Sequence, residues 1–169
     1  MARPIHNPQE DIMESRIPNY PKLAPDLYRT LYQIQQQVDK SGLDIKLLDL
    51  IKIRASQING CAFCIDMHTI DARSHGETEQ RIYALNAWRE GPFFTAKERV
   101  VLEFTESVTR VSETHVPDEV FEQVKQHFSE LEIVNLTWAI VAINSWNRLA
   151  ITVRAEPGHY KPQSAAKAS

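Results

Sequence analysis

From Pro25 onward the chain repeats apolar side chains every three or four residues. Leu27, Leu31, Ile34 and Val38 keep that spacing through DLYRTLYQIQQQVDKSG, which predicts one face of a helix ending near Gly42. DIKLLDLIKIRASQI continues the pattern as far as Asn59-Gly60, and a third helix is predicted from about Cys61 to His75. Gly76 suits the left-handed residue that ends many helices. TEQRIYALNAWRE follows and is closed by Gly91-Pro92; TAKERVVLEFTESVTRVSE then opens on the capping-box pair Thr95 and Glu98. PDEVFEQVKQHF places Pro117 where a first helical turn tolerates it, and the last helix opens on a second capping box, Ser129 and Glu132, and runs to about Val153. No stretch alternates as a half-buried strand does. An all-α, single-domain bundle of about six or seven helices over residues 25–155 is expected.

The two ends differ from this middle. Residues 1–25 hold five of the nine prolines and no sustained periodicity, so residues 1–24 are expected to form an arm over the domain or over a neighbouring subunit. Residues 156–169 are polar and small beyond Glu156-Pro157-Gly158, and a fraying tail is expected. The arm breaks its apolar residues with prolines and charges, so it offers no signal-peptide core, and a cytoplasmic location is expected. IVNLTWAIVAINSWNRLAITV is long enough to raise a membrane span, but three Asn, an Arg, a Ser and two Thr interrupt it. It reads as the central helix of a water-soluble bundle.

Composition narrows the partners. At 169 residues, 43 % hydrophobic and 24 % charged, the chain suits one globular core. A net charge of −3 without runs of either sign supplies no basic stripe, so neither nucleic acid nor an anionic membrane surface is expected as partner.

The chemistry concentrates in NGCAFCIDMHTID. Its two cysteines are the only ones in the chain, and in a reducing compartment a close pair is either a redox or metal site or a pair of buried small side chains. If the helix begins near Asn59, Cys61, Cys64 and His68 fall within about 60° of one another on one face. The rise of about 1.5 Å per residue brings His68 within about 6 Å of Cys64 along the axis, so the histidine pairs better with the second cysteine. Unpaired N–H groups at a helix start lower a thiol's pKa. Zinc would want a fourth ligand that this stretch does not supply, and a thioredoxin-like site would want a preceding strand where a helix is predicted. His75, beside Gly76, reads as a residue compensating the helix dipole.

Spacing alone places Asp49 with Lys52 and Ser56 on one side of the second helix, as a solvated carboxylate. Arg54 falls instead within the apolar stripe of Leu47, Leu50, Ile51, Ala55 and Ile58, where a charge needs a partner. Trp88, Trp138 and Trp146 lie among apolar neighbours and are expected in the core.

DLIKIRASQINGCAFCIDMHTIDAR resembles the alkylhydroperoxidase AhpD-like branch of the carboxymuconolactone decarboxylase family, and the likeness extends loosely from about residue 20 to residue 155. The resemblance implies an all-helical fold, homo-oligomers (trimers or hexamers), and thiol peroxidase activity with no haem, metal or other cofactor. It implies that Cys64 attacks the peroxide and becomes a sulfenic acid, and that Cys61 condenses with it as a disulfide. An external thiol or dithiol protein would then reduce the pair. The family's proton relay uses a glutamate twelve residues before the first cysteine and two histidines. Here those positions hold Asp49, His68 and, immediately before the second cysteine, Phe63. The mechanism this implies has His68 as general base to Cys64, oriented by Asp49. The alternatives are a cofactor-free lactone decarboxylase and a non-enzymatic, redox-responsive helical oligomer.

Overall fold

The computed structural model describes residues 14–162. Within them the helices run α1 (Tyr20–Leu23), α2 (Pro25–Asp39), α3 (Ile45–Asn59), α4 (Ala62–Ser74), α5 (Glu79–Ala84), α6 (Ala96–Thr109), α7 (Val111–Thr114), α8 (Asp118–Lys125) and α9 (Glu130–Val153). No strand occurs among the described residues, so the expected all-α domain is the one found.

Helix α3 is the axis of the bundle. It packs against α4, α6 and α9, and residues 47–56 are buried without interruption. Leu48, Ile51, Phe104, Leu136, Ile140 and Ile143 form the main core, and Leu50, Ile53, Leu85, Trp88 and Leu102 a second on the opposite side of α3. Removing a fully buried side chain such as Ile51 costs about 2–5 kcal/mol, through lost transfer energy and the cavity left behind. A helix covered all round must also bury its polar residues, and each of those then needs a partner. Asp49 is only 2 % exposed, which corrects its reading as a solvated carboxylate.

The capping chemistry stands as written in the sequence. Thr95 with Glu98 and Ser129 with Glu132 both form complete capping boxes, each satisfying otherwise unpaired N–H groups at a helix start. Gly60 ends α3 at φ 70° and Gly76 follows α4 at φ 86°, conformations that penalise any residue with a Cβ.

Four expectations shift. The helix predicted across 78–90 is six residues of α5 and a 3-10 turn, Leu85–Ala87. The chain tightens there as Asn86 and Trp88 turn inward to accept from Arg54 and donate to Glu106. On α2, Leu27 points outward and its neighbour Tyr28 turns inward, edge-on to Tyr20 and Trp146. Trp138 is half exposed rather than core, Trp146 is partly buried, and only Trp88 is fully enclosed. The tail is also more ordered than a fraying end: Gly158 N–H donates to Asp66 Oδ2 at 2.8 Å and Tyr160 O–H donates to Asp71 Oδ1 at 2.7 Å, so residues 156–162 lie along α4 as a strap.

Arg16 N–H and Ser15 Oγ both donate to the Val153 carbonyl, so the described part of the arm lies on this chain's own α9 terminus. Residues 1–13 of the arm and 163–169 of the tail lie outside the described residues. No helix among the described residues is long and apolar enough to cross a membrane.

Candidate active site

The turn at Gly60 delivers Cys61 as the N-cap of α4, one position earlier than the first-turn place the spacing predicts. Its sulfur accepts the Cys64 N–H at 3.3 Å, in the place a serine or aspartate oxygen usually takes. The same two residues are joined as a disulfide, with 5.3 Å between their Cα atoms. Both are almost fully buried, packed with Phe63, Ala150 and Ala155. Reduction would leave two thiols at a helix N-terminus, where the dipole and free N–H groups favour the thiolate.

The two sulfurs serve different spaces. Cys64 lines a cavity of about 510 Å³ between α2 and α4, floored by α3 and α9. Cys61 lines another, of about 430 Å³, against Arg154, Glu156 and His159. The larger cavity is lined also by Tyr28, Phe63 and Trp146 and by Asp49, Lys52 and His75.

His68 shares the Cys64 cavity, as the helical spacing predicts, and is only 7 % exposed. Burial holds its pKa below the ordinary histidine value; the Lys52 ammonium adds to that effect, while Asp71 and Asp49 oppose it. The ring is therefore neutral at neutral pH, in the form able to take a proton. Its Nδ1 has no hydrogen-bond partner; the Asp71 Oδ2 carboxylate oxygen stands 3.8 Å away. Asp71 is held below the ordinary carboxylate value: burial pushes it up, and the facing ring, the Tyr160 hydroxyl and Lys52 outweigh that push.

Asp49 reaches a different histidine. Its Oδ2 lies 2.7 Å from His75 Nδ1, so the bonded partner of Asp49 is His75 and not His68. The reason is topological: α3 and α4 run antiparallel from the Gly60 turn, which sets the end of α4 against the start of α3. Burial raises the Asp49 pKa, and His75 and Lys52 pull it partly back. Lys52, itself buried, donates to Asp39 Oδ1 at 2.9 Å, and its charge acts on Asp49, His68 and Asp71 alike. Among the described residues no three His, Cys, Asp or Glu side chains are grouped to hold a metal ion.

The carboxymuconolactone decarboxylase family model matches residues 25–107, from α2 through α3, α4 and the cysteine pair into α6. Uncharacterized protein YdfG of Bacillus subtilis (strain 168) is 44 % identical over 141 residues, covering 83 % of this chain and 95 % of that protein. The chain belongs to the carboxymuconolactone decarboxylase family. A crystal structure from Agrobacterium tumefaciens, of a protein of unknown function proposed to be the antioxidant defence protein AhpD, superposes with a TM-score of 0.84 at 44 % identity. That match covers 87 % of this chain and all of the other. A peroxidase-related protein with an alkylhydroperoxidase AhpD core, from Ralstonia eutropha JMP134, shares the fold at a TM-score of 0.74 and 19 % identity, over 83 % of this chain and 75 % of its own.

In this family member Cys64, His68 and Asp49 line one cavity, Cys61 lines the neighbouring one, and Asp49 is bonded to His75 rather than to His68. Lys52, Asp71 and Tyr160 are the residues that sequence reasoning passed over. Asp71 had a signal, since it stands three residues after His68 on the same helix face. Lys52 had a weaker one in its shared side with Asp49. Tyr160, in a polar segment with no periodicity, had none.

Proposed function

We propose that the protein is a thiol-dependent peroxidase of the AhpD-like branch, acting on organic hydroperoxides. The observation that carries this reading is that Cys64, paired with Cys61, and a buried neutral His68 line one cavity large enough for an organic substrate. His68 takes the Cys64 proton; the thiolate attacks the outer peroxide oxygen, an S–O bond forms and the O–O bond breaks. His68 returns its proton to the departing alkoxide, which leaves as an alcohol. Cys61 thiolate then attacks the sulfenic sulfur, an S–S bond forms, and hydroxide leaves as water after taking up a proton. A dithiol protein reduces the disulfide by attack at Cys61, whose separate cavity supports an approach from the other side. A reducing cytoplasm would sustain this cycle.

The test is mass spectrometry of the reduced protein after brief exposure to cumene hydroperoxide. Cys64→Ser should consume no peroxide and form no sulfenate, whereas Cys61→Ser should accumulate sulfenic or sulfinic acid on Cys64. Oxidation that begins on Cys61 would overturn the assignment.

One observation favours a second reading. The buried Asp49 and its exposed partner His75 line the same cavity, and cofactor-free lactone decarboxylation needs an acid–base pair but no cysteines. Lactone turnover by the double Cys→Ser variant would select that reading. Either activity is compatible with a homo-oligomer, which is supported by an exposed apolar stripe along α9 made of Leu131, Val134, Trp138 and Val141. Light scattering at micromolar concentration should give a multiple of 19.4 kDa.

A further inference from the structure

We propose that Tyr160 is a positioning residue for the cysteine chemistry: from the C-terminal strap its hydroxyl fixes the Asp71 carboxylate that faces His68 Nδ1. The inference rests on His68 being the base that serves Cys64.

Three observations carry it. Tyr160 O–H donates to Asp71 Oδ1 at 2.7 Å, which leaves Oδ2 directed at His68 Nδ1, 3.8 Å away. Among the side-chain nitrogens and oxygens of the residues lining the cavity, that Nδ1 is the one buried without a partner, and Asp71 Oδ2 is the carboxylate oxygen facing it. The carboxylate expected to orient His68 is committed elsewhere, since Asp49 is bonded to His75.

The proton inventory agrees with the geometry. Burial and the neighbouring Asp71 raise the Tyr160 pKa, so its hydroxyl keeps its proton and donates. Asp71 is ionised and accepts. A neutral His68 facing that carboxylate carries its proton on Nδ1, an assignment made from the partner, and so presents a bare Nε2 as the base. The result is a chain of nucleophile, base and orienter in which the orienter is itself held in place. The other charged groups acting on His68 come from α3: Lys52 lowers its pKa and Asp49 raises it. Neither makes a hydrogen bond to the ring.

The strap's own anchorage makes the role separable from folding. Gly158 N–H to Asp66 Oδ2 holds the segment independently of the tyrosine hydroxyl, so Tyr160→Phe removes one oxygen and leaves the strap in place. The experiment uses the full, reduced chain with Cys61→Ser as background, so that iodoacetamide reports Cys64 alone. Two readouts are taken: the alkylation rate across pH 5–9, and the His68 tautomer by ¹⁵N NMR. Wild-type His68 should show the Nδ1-protonated tautomer. Tyr160→Phe should shift it toward a mixture and slow alkylation roughly tenfold at neutral pH, with the helical circular dichroism unchanged. Asp71→Asn should do the same, and the double variant should be no slower than Asp71→Asn, because the hydroxyl acts only through that carboxylate.

An unchanged tautomer and rate in Tyr160→Phe would overturn the proposal, and so would losses that multiply in the double variant. If the tautomer and alkylation respond as expected while the wild-type protein consumes no hydroperoxide, the positioning role stands and the peroxidase reading falls.

Discussion

Helix α3 carries two buried polar clusters on opposite sides, and they are built differently. On the α6 side, Glu106 receives Arg54 Nε at 2.8 Å, Trp88 Nε1 at 2.7 Å and Arg89 Nη1 at 2.9 Å, and Arg54 also donates to Gln57 and Asn86. Among the described residues, every buried side-chain nitrogen and oxygen of that cluster has a partner. On the α4 side, Asp49, Lys52, His68 and Asp71 surround an open groove, and one ring nitrogen is left without a partner. Buried charge is common to both, so burial alone does not mark function. An unfilled hydrogen-bonding position beside a cavity and a nucleophile does, because the protein bears the cost of leaving it open where a substrate can enter.

The sharpest way to break this comparison is to remove one partner from each side. Glu106→Gln should destabilise the fold by about 3–5 kcal/mol, since the buried Arg54 would face a neutral amide. Its folded fraction should keep the wild-type rate at Cys64. His68→Ala should do the reverse, with a 10²-fold or greater loss of rate expected for a missing general base and a much smaller loss of stability. Denaturant titration beside Cys64 alkylation checks both. Equal stability losses from the two variants would erase the distinction.

Acid titration sharpens it further, because Glu106 and Asp49, one carboxylate from each side, respond with opposite sign. Burial pushes Glu106 up, but Trp88, Arg89 and Arg54 hold its folded pKa below the ordinary 4.5. The unfolded chain therefore binds that proton first, and the stabilisation is present above about 4.5 and lost as pH falls through the folded value. His68 adds a loss that begins higher, as pH drops below its ordinary 6.5, because its folded pKa is also lowered. Asp49 is raised, so the folded state binds its proton more tightly than the unfolded chain and gains stability as pH falls. Stability measured from pH 6 to pH 3 should decline less steeply in Glu106→Gln than in wild type, and more steeply in Asp49→Asn. Parallel curves for all three proteins would show that neither carboxylate carries the pH dependence.

What the sequence made legible follows the range of the interaction. Both capping boxes, the Gly60 and Gly76 terminations and the shared cavity of Cys64 and His68 depend on residues a few positions apart, and all are found, whereas Cys61, at the N-cap of α4, lines a separate cavity. The requirement that Arg54 find a partner was readable from its place in an apolar stripe, although the identity of Glu106, 52 residues away, was not. Asp49 was misread because a helical wheel assumes one solvated side, and α3 has none. Its pairing with His75 depends on how the end of α4 returns to the start of α3, and the Tyr160 contact spans 89 residues from a segment with no pattern. Tertiary return of this kind leaves no local trace.

The smallest expected effect tests the division of labour between the two carboxylates of the groove. Asp49 acts on His68 only through space, across the groove and alongside the Lys52 ammonium, whereas Asp71 faces its ring. Asp49→Asn should therefore change the rate of Cys64 alkylation by less than about threefold at neutral pH, against roughly tenfold for Asp71→Asn. Asp49→Glu is the more instructive partner, since glutamate is the residue that the family's relay places here. With the Asp49 carboxylate already 2.7 Å from His75, an added methylene must move it out of that bond and into the adjoining cavity. Losing a charge-assisted hydrogen bond costs about 1.5–3 kcal/mol, so Asp49→Glu should lose stability without gaining rate. If Asp49→Glu instead accelerates Cys64, or if Asp49→Asn slows it as far as Asp71→Asn does, Asp49 serves His68 directly and the two carboxylates share one task.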